Sequence, residues 1–329
     1  MSTVVITGCA GFIGSHLSKH YLDEGYDVVG VDDFSSSSRS SSHFKTLKKH
    51  DNFRFVNGGI ELPYTFDDLN ETLKHYGFST KDMLILNFAC PASPPRYQSM
   101  PVKTMDTCYL GTRNVLNFAR DKDARIVHAS TSEIYGDPVK SPQVESDWGN
   151  VNTFGPRSCY DEGKRIAETL CREFNVQHDV DVRLIRIFNC YGPNMDPDDG
   201  RVVTNFIKQA LKGEKLTIYG TGTQTRSFCY VDDLVRGIVK LGSLPRHDAL
   251  NVPINLGNPN EFSMIDLANN VLSSLDLNDV ELTWNELPTD DPRQRKPDIT
   301  KARELLNWEP KVQLNEGLQR TIDYVRSVL

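Results

Sequence analysis

The stretch "VVITGCAGFIGSH" (residues 4–16) carries three glycines, Gly8, Gly11 and Gly14, between an apolar run and an amphipathic segment. When a strand ends in a glycine turn that opens a helix, the backbone amides at the helix N-terminus can bind phosphate. The first glycine permits the tight turn, the second lets the backbone approach a pyrophosphate, and the third lets helix and strand pack closely. The stretch therefore predicts a dinucleotide-binding strand–helix unit.

The end of the next apolar run indicates which dinucleotide binds. "VVGVDDF" (28–34) places Asp32 at the end of a second strand, about 20 residues after the glycines. A carboxylate there accepts hydrogen bonds from a ribose 2′-hydroxyl and repels a 2′-phosphate, which favours NAD over NADP. The residues predicted to bind this cofactor are Gly8, Gly11, Phe12, Ile13, Gly14 and Asp32.

Strands and helices alternate through the first half of the chain. The predicted strands are 3–7, 27–32, 53–56, 83–88, 125–129 and 182–188, and the predicted helices lie near 13–24, 66–76, 105–121 and 160–178. Apolar strands separated by amphipathic helices predict an α/β fold, with a doubly wound parallel (Rossmann-like) sheet covered on both faces. The segment 69–82 is expected to be a helix followed by a loop.

The second half has a different character. Loops rich in Gly, Pro and Asp separate shorter helices near 202–212, 232–241, 263–275 and 314–328. We expect an NAD-binding domain at 1–188 and a smaller, loop-rich substrate lobe at 189–329, with segments near 228–258 packing back onto the first domain. The tract "SSSSRSSS" (35–42) is expected to be a flexible surface loop.

Composition narrows the class of protein. The 329 residues include 38% hydrophobic and 25% charged residues, which is typical of a soluble globular protein. A net charge of -7 argues against nucleic-acid binding, and no apolar run approaches the roughly 20 residues of a membrane span. Seven cysteines without a CxxC pair favour reduced thiols over disulfides or a metal site. With no signal peptide before the first predicted strand, we expect a cytoplasmic protein.

Two further stretches carry candidate catalytic groups. "RIVHASTSEIYGDP" (125–138) is a strand that runs into a turn bearing Thr131, Ser132 and Glu133. "SCYDEGK" (158–164) places Tyr160 and Lys164 one helical turn apart, on one face. A neighbouring ammonium favours the phenolate and lowers the pKa of a tyrosine, so the pair can form a tuned acid/base. The alternative is an exposed aromatic ring beside a surface lysine.

A hydroxyl at a strand end followed by Tyr-x-x-x-Lys resembles the short-chain dehydrogenase/reductase superfamily, in its extended branch that acts on nucleotide sugars. The resemblance implies that Tyr160, as tyrosinate, removes the proton of a sugar hydroxyl while hydride leaves for NAD. It implies that Lys164 lowers the pKa of Tyr160 and binds the nicotinamide ribose, and that both residues belong to the NAD-binding site. It also implies that Thr131 steadies the reacting oxygen.

Longer motifs narrow the resemblance. "ACPASPPRYQSMPVKT" (89–104), "CYDEGKRIAET" (159–169) and "DDPRQRKPDI" (290–299) resemble the UDP-glucuronate decarboxylases, which make UDP-xylose. The resemblance implies oxidation of C4, loss of carbon dioxide and reduction of C4, with a homodimer formed by the helices near 105–121 and 160–178. It gives Ser132, Glu133 and Arg295 the tasks of orienting the carboxylate and managing the C5 proton. The residues it assigns to substrate binding are Tyr97, Asn189, Arg201, Tyr219, Arg226 and Arg295.

Other interpretations of these residues stay open. Glu133 could be a structural acid, Tyr219 a core residue, and the three arginines solvated surface cations. A nucleotide-sugar 4,6-dehydratase or 4-epimerase is the alternative enzyme, although a dehydratase would carry Asp-Glu where this chain has Ser132 and Glu133. A non-catalytic nucleotide sensor is the alternative from another class, and such proteins usually lose the tyrosine or the lysine.

Several positions depart from the family pattern. Cys9 replaces a glycine of the phosphate loop, Asp33 an asparagine, Gly59 an adenine-contacting aspartate and Cys108 an asparagine, and the serine tract replaces a Thr-Gly-Arg stretch. Most of these changes belong to the adenosine side of the cofactor. We therefore expect NAD to bind through a remodelled adenine pocket.

Overall fold

A seven-stranded parallel sheet forms the centre of the computed structural model, which describes residues 2–277 and 280–329. The strands are β1 (Thr3–Thr7), β2 (Asp27–Asp32), β3 (Phe53–Asn57), β4 (Leu84–Asn87), β5 (Arg125–Thr131), β6 (Val182–Ile187), β7 (Cys190–Tyr191), β8 (Leu216–Tyr219), β9 (Thr225–Ser227), β10 (Cys229–Tyr230), β11 (Pro253–Leu256), β12 (Glu261–Ser263), β13 (Leu282–Asn285) and β14 (Gln294–Arg295). The central sheet has the order β11-β6-β5-β4-β1-β2-β3. The α/β prediction, with its parallel doubly wound sheet, is confirmed.

Helices connect these strands. They are α1 (Phe12–Asp23), α2 (Ser42–Leu47), α3 (Tyr64–Tyr76), α4 (Pro94–Ser99), α5 (Pro101–Asp106), α6 (Thr112–Asp121), α7 (Ser158–His178), α8 (Val202–Leu211), α9 (Val231–Ser243), α10 (Met264–Ser274), α11 (Thr300–Leu306) and α12 (Leu314–Val328). A π-helical turn at Thr107–Gly111 joins α5 to α6, and short 3-10 turns occupy Ser132–Tyr135 and Asp248–Leu250. None of the helices in the described part of the chain is both long and apolar enough to cross a lipid bilayer.

Both faces of the central sheet are buried. Along β1, Val4 and Ile6 belong to the hydrophobic cluster that includes α1 and α9, whereas Val5 belongs to the cluster with α3, α6 and α7. Successive side chains of a strand point to opposite faces, so a strand covered on both sides has to be apolar throughout. This requirement explains why the strands read as continuous β-branched runs.

The C-terminal part of the chain adds one strand to the central sheet and also forms a small sheet of its own. Strand β11 pairs in parallel with β6 and so becomes one edge of the central sheet. A separate three-stranded sheet, β12-β9-β14, places Arg226 of β9 directly opposite Arg295 of β14. Two arginines 69 positions apart in sequence thus become neighbours beside the end of β5. The division of the chain at residue 188 remains a prediction.

The serine tract is tied to the body of the protein more closely than expected. The hydroxyl of Ser37 donates to the carboxylate of Asp32 at 2.8 Å, and Ser41 caps α2 by accepting from the amide of Phe44 at 3.4 Å. Ser42 is the first residue of α2. Serine hydroxyls readily bond nearby backbone and cap helices, so the tract is a surface loop that is fastened to the body of the protein.

Candidate active site

A groove of about 1140 Å³ opens at the carboxyl ends of the central strands. Ligands bind at this edge in doubly wound sheets, and the volume exceeds the roughly 300–1,000 Å³ of a pocket for one small molecule. The predicted residues that line it are Gly8, Gly11, Phe12, Ile13, Gly14, Asp32, Tyr97, Thr131, Ser132, Glu133, Tyr160, Lys164, Asn189, Arg201, Tyr219 and Arg226. Arg295 lies behind this lining.

The glycine turn has the geometry of a phosphate-binding loop. Gly8 has a positive φ of 72°, and a Cβ atom on Gly14 would lie 2.0 Å from the carbonyl oxygen of Gly8. Only glycine at position 14 allows α1 to pack this closely on the turn. The thiol of Cys9 points into the core, because a Cβ on Gly30 of β2 would lie 2.5 Å from its Sγ atom. This replacement therefore leaves the groove face of the loop intact.

Asp32 is held in place at the groove by three hydrogen bonds. Its carboxylate accepts from the amides of Ala10 at 3.0 Å and Phe34 at 2.8 Å, and from the hydroxyl of Ser37. Burial raises the pKa of Asp32, and these hydrogen bonds oppose the rise. A carboxylate fixed beside the glycine turn is suited to a ribose diol.

The adenosine side contains an ion-pair group that sequence reasoning missed. The ammonium of Lys103 on α5 pairs with Asp33 at 2.5 Å and with Glu61 at 3.4 Å. Burial opposes ionisation of Asp33, but the hydrogen bond from Lys103 outweighs it and lowers the pKa of that carboxyl. A Cβ atom on Gly59 would lie 2.6 Å from both carboxylate oxygens of Glu61. The carboxylate of Glu61 thus occupies the space that a side chain at position 59 would fill.

Tyr160 and Lys164 lie on one face of α7, as predicted, with the Lys164 Nζ atom 5.9 Å from the centre of the Tyr160 ring. The ammonium donates to the carbonyl oxygen of Ala129 at 2.8 Å. The expected low pKa of Tyr160 is not present in this structure: burial raises it well above its ordinary value, and the hydroxyl of Thr131 only partly opposes the rise. The Tyr160 ring is stacked on Tyr97, with ring centres 5.0 Å apart.

A cluster of carboxylates and guanidinium groups lies next to Tyr160. Glu133, just after β5, pairs with Arg157 at 2.7 Å and with Arg295 at 3.3 Å. Asp291 pairs with Arg157 at 3.4 Å and with Arg226 at 2.8 Å. Arg295 is only 1% exposed, which rules out the solvated alternative for this residue. The groove-lining guanidinium beside Glu133 belongs to Arg157, a residue that sequence reasoning missed although it precedes the Tyr-x-x-x-Lys helix by a single position.

The charges in this cluster control its protonation. Burial opposes ionisation of Glu133, but Arg295 and Arg157 outweigh it and lower the pKa of Glu133 to about 2. Burial, together with the charge of Glu133, raises the pKa of Asp161 to about 7. Among the described residues, no group bonds the Nε and Nη1 atoms of Arg295. Three guanidinium groups facing the carboxylates of Glu133 and Asp291 give the cluster a surplus of positive charge.

The remaining predicted residues line the far half of the groove. Arg201 precedes α8 and pairs with Asp199 at 3.0 Å. The carbonyl oxygen of Asn189 accepts from the amide of Cys229 at 2.8 Å, which fixes the backbone after β6. Tyr219 is 40% exposed at the end of β8, so it is not a core residue. The structure brings these groups to one groove, and their roles remain predictions.

The fold, the glycine turn and the paired tyrosine and lysine define an extended short-chain dehydrogenase/reductase. The family model described as GDP-mannose 4,6 dehydratase matches residues 5–321. UDP-glucuronic acid decarboxylase 6 of Arabidopsis thaliana is 49% identical over 96% of this chain and 86% of that relative. UDP-glucuronic acid decarboxylase 1 of Xenopus tropicalis is 45% identical over 99% of this chain and 72% of that relative. This chain belongs to that dehydratase family and, within it, to the UDP-glucuronic acid decarboxylases.

A solved structure has the same architecture. The UDP-glucuronic acid 4-epimerase of Bacillus cereus, in complex with UDP-glucuronic acid and NAD, superimposes with a TM-score of 0.85 at 28% identity. The match covers 99% of this chain and 100% of the epimerase chain. The sequence-based resemblance is therefore confirmed at the level of family and fold.

Glu133 should make the stability of the protein depend on pH. Its pKa is lower in the folded chain than the ordinary 4.5, so its ion pairs stabilise the fold fully above about pH 4.5 and are lost as the pH falls towards 2. At pH 7, Glu133→Gln should lower the free energy of unfolding by about 3 kcal/mol. Below pH 4.5 this difference should shrink by about 1.4 kcal/mol per pH unit. Urea unfolding at several pH values measures it.

The matched control is Glu162→Gln on α7, since Glu162 forms a half-exposed pair with Arg165 at 3.5 Å. That variant should lose less than about 1 kcal/mol at any pH. A Glu133→Gln penalty that is equal at pH 7 and pH 3 would contradict the assignment of the ion pairs.

Proposed function

We propose that this chain is an NAD-dependent UDP-glucuronate decarboxylase, which converts its substrate to UDP-xylose through a UDP-4-keto sugar. One observation carries the proposal: the Tyr160–Lys164 pair and the guanidinium groups of Arg157 and Arg226 line the same groove. The first pair suits oxidation of a sugar hydroxyl, Arg157 suits a substrate carboxylate, and Arg226 suits a phosphate. The decarboxylase relatives support the same assignment.

The residues at one end of the groove fit NAD. A side chain at Gly8 or Gly14 would collide with backbone, so the two glycines let α1 begin directly at the turn. The amides of the first turn of α1, at Phe12 and Ile13, would bind the pyrophosphate. Asp32 would hold the adenosine ribose, and Lys164 would hold the nicotinamide ribose. When bound, NAD accepts a hydride from C4 and later returns it.

Tyr160 is the proposed acid/base at the C4 hydroxyl. Its phenol is buried and its pKa is raised in this structure, so proton removal depends on cationic support. The ammonium of Lys164, whose Nζ atom is 5.9 Å from the ring centre, is proposed to give that support, because a nearby positive charge favours the phenolate. The charge of Arg201 acts in the same direction on the pKa of Tyr160. Thr131 would donate to or accept from the reacting oxygen, which keeps that oxygen beside Tyr160.

The ion-pair cluster is proposed to orient the carboxylate. A ketone at C4 lies β to the C5 carboxylate. Carbon dioxide can therefore leave while the electron pair of the broken C–C bond stays on the sugar and is delocalised into an enolate. Arg157 would hold the carboxylate with a forked pair of hydrogen bonds, supported by Glu133. With a pKa of about 2, Glu133 is ionised at neutral pH and acts as an acceptor. Arg295 is a positioning residue that holds Glu133 from behind, and Ser132 lies at the same edge of the sheet.

The far half of the groove is proposed to bind UDP. Arg201 and Arg226 would neutralise the diphosphate, for which planar guanidinium groups are well shaped. The exposed ring of Tyr219 offers a face for uracil, and Asn189 and Tyr97 would contact the sugar.

The activity test is an NMR analysis of products from UDP-glucuronate and NAD. The wild-type protein should release carbon dioxide and form UDP-xylose or its 4-keto precursor. Tyr160→Phe should lower turnover by about 10²-fold or more while its affinity for UDP stays close to wild type. The control Tyr64→Phe, at an exposed residue of α3, should behave like wild type.

Three other results would replace the proposal. A product that keeps its carboxylate identifies a 4-epimerase, and turnover of UDP- or dTDP-glucose with loss of water identifies a dehydratase. Nucleotide binding without any turnover identifies a sensor.

Glu61 is proposed to take the adenine contact that Gly59 lacks. Its carboxylate lines the groove beyond Asp32 and would accept a hydrogen bond from the adenine 6-amino group. Nicotinamide hypoxanthine dinucleotide carries a carbonyl oxygen there, which the carboxylate would repel. Wild type should bind NAD at least about tenfold more tightly than the hypoxanthine analogue, measured by calorimetry. In Glu61→Gln this preference should largely vanish, because an amide can also donate.

The exposed residue Glu71 on α3 provides the control, and Glu71→Gln should keep the wild-type preference. A Glu61→Gln protein that still discriminates as wild type does would exclude this contact.

We further propose a homodimer. The large apolar residues exposed on the helical stretch from α5 to α6, and on α7, are Val102, Met105, Tyr109, Leu110, Ile166 and Val176, which are 40–71% exposed. Two copies of this face would bury those side chains in a four-helix bundle.

The described cysteines are all free thiols, which supports a reducing, cytoplasmic location.

Light scattering tests the dimer. The double variant Leu110→Glu/Ile166→Glu should be monomeric, since charges would enter an apolar interface. Val139→Glu, at an exposed loop residue outside this face, should leave the mass unchanged. A double variant that is still dimeric, or a wild type that is monomeric, would contradict the proposed interface.

A further inference from the structure

Two thiols meet beside the proposed catalytic residues. The Sγ atoms of Cys90 and Cys108 lie 3.5 Å apart. Cys90 follows β4 and lines the groove, whereas Cys108 is a buried residue of the π-helical turn. A Cβ atom on Gly163 of α7 would lie 3.1 Å from both Cβ and Sγ of Cys108. Because Gly163, just before Lys164, has no side chain, the Cys108 thiol has room to lie against the Cys90 thiol.

The surroundings of Cys90 favour reaction. The hydrogen bond from the Cys108 thiol lowers the pKa of Cys90 to about 7 despite burial, and the ammonium of Lys164 acts in the same direction. Reactive cysteines lie in partly exposed sites close to positive charge, and Cys90 is half-buried at the groove surface. Of the remaining thiols, Cys159 is in the same apolar cluster, but its Sγ donates to the carbonyl oxygen of Tyr97 at 3.7 Å.

We propose that Cys90 and Cys108 form a peroxide-sensitive dithiol, which closes to an intramolecular disulfide and reversibly slows turnover. The Cys90 thiolate attacks one oxygen of a hydroperoxide, ROOH, and the O–O bond breaks. The departing RO⁻ takes up the proton that the Cys90 thiol lost on ionising, so Cys90 becomes a sulfenic acid and ROH leaves. The Cys108 sulfur then attacks the Cys90 sulfur, the S–S bond forms, and the hydroxyl of the sulfenic acid leaves as water with the proton of the Cys108 thiol. Both sulfurs are oxidised, and the peroxide is reduced.

The effect on activity follows from the distance that must close. A disulfide brings two sulfurs to about 2.05 Å, so Cys90 and Cys108 must approach each other, and we expect the groove-lining segment at Cys90 to shift with them. Displacements near 1 Å in an active site can cost about 10²-fold in rate. This consequence rests on the proposed function, whereas disulfide formation itself does not.

Peptide mapping tests the disulfide. Trypsin separates the two cysteines into peptides 82–96 and 104–113. After treatment of the purified full chain with hydrogen peroxide, alkylation and digestion, we expect these peptides joined, two hydrogens lighter than their sum, and released by dithiothreitol. Peptides that remain separate, whether alkylated or carrying sulfinic acids, would overturn the proposal.

Variants test the link to activity. In wild type, peroxide should lower carbon dioxide release about tenfold or more, and dithiothreitol should restore it. In Cys108→Ala the ratio of oxidised to reduced activity should stay near one, while Cys159→Ala should lose and regain activity as wild type does. Equal peroxide sensitivity in Cys108→Ala would refute the switch. A reduced wild type that releases no carbon dioxide would instead refute the proposed function. Peptide mapping would still decide whether the disulfide forms.

Discussion

The ion pairs of Glu133 join distant parts of the chain at one point. Glu133 follows the central strand β5, Arg157 precedes α7, and Arg295 comes from the small C-terminal sheet. Charges so deeply buried are tolerated only with partners and hydrogen bonds. The same contacts that stabilise these buried charges therefore also hold the small C-terminal sheet against the central sheet. They do so directly beside the tyrosine that we propose as the acid/base.

The fold could be predicted because its signals are local. The glycine turn, the carboxylate at the end of β2 and the change between strand and helix periodicity each depend on a few neighbouring residues, and they set the sheet and its functional edge. Strand β11 was not predicted, because a four-residue run such as 253–256 does not indicate which strand it will pair with. The short helices α2, α4 and α11 were missed for a similar reason, because six or seven residues hardly establish a period.

The site was only partly predictable. Tyr160 and Lys164 were identified because one helical turn fixes their spacing. The partners of Glu133 lie 24 and 162 positions away, and no local pattern connects them. The raised pKa of Tyr160 depends on burial beneath Tyr97, which the sequence does not report. On the adenosine side, the altered Asp33 is balanced by Lys103, so a substitution that seemed disruptive is compensated 70 positions away.

The place of β11 in the sheet has a consequence for how the protein is made. On the ribosome, β6 emerges long before residues 253–256, and until then its outer edge has no neighbour. An unpaired strand edge readily accepts another chain, and non-local pairing of this kind slows folding. Until β11 has been synthesised, the free edge of β6 must therefore be prevented from pairing with strands of other chains. A molecular chaperone that covers this edge would act during this interval.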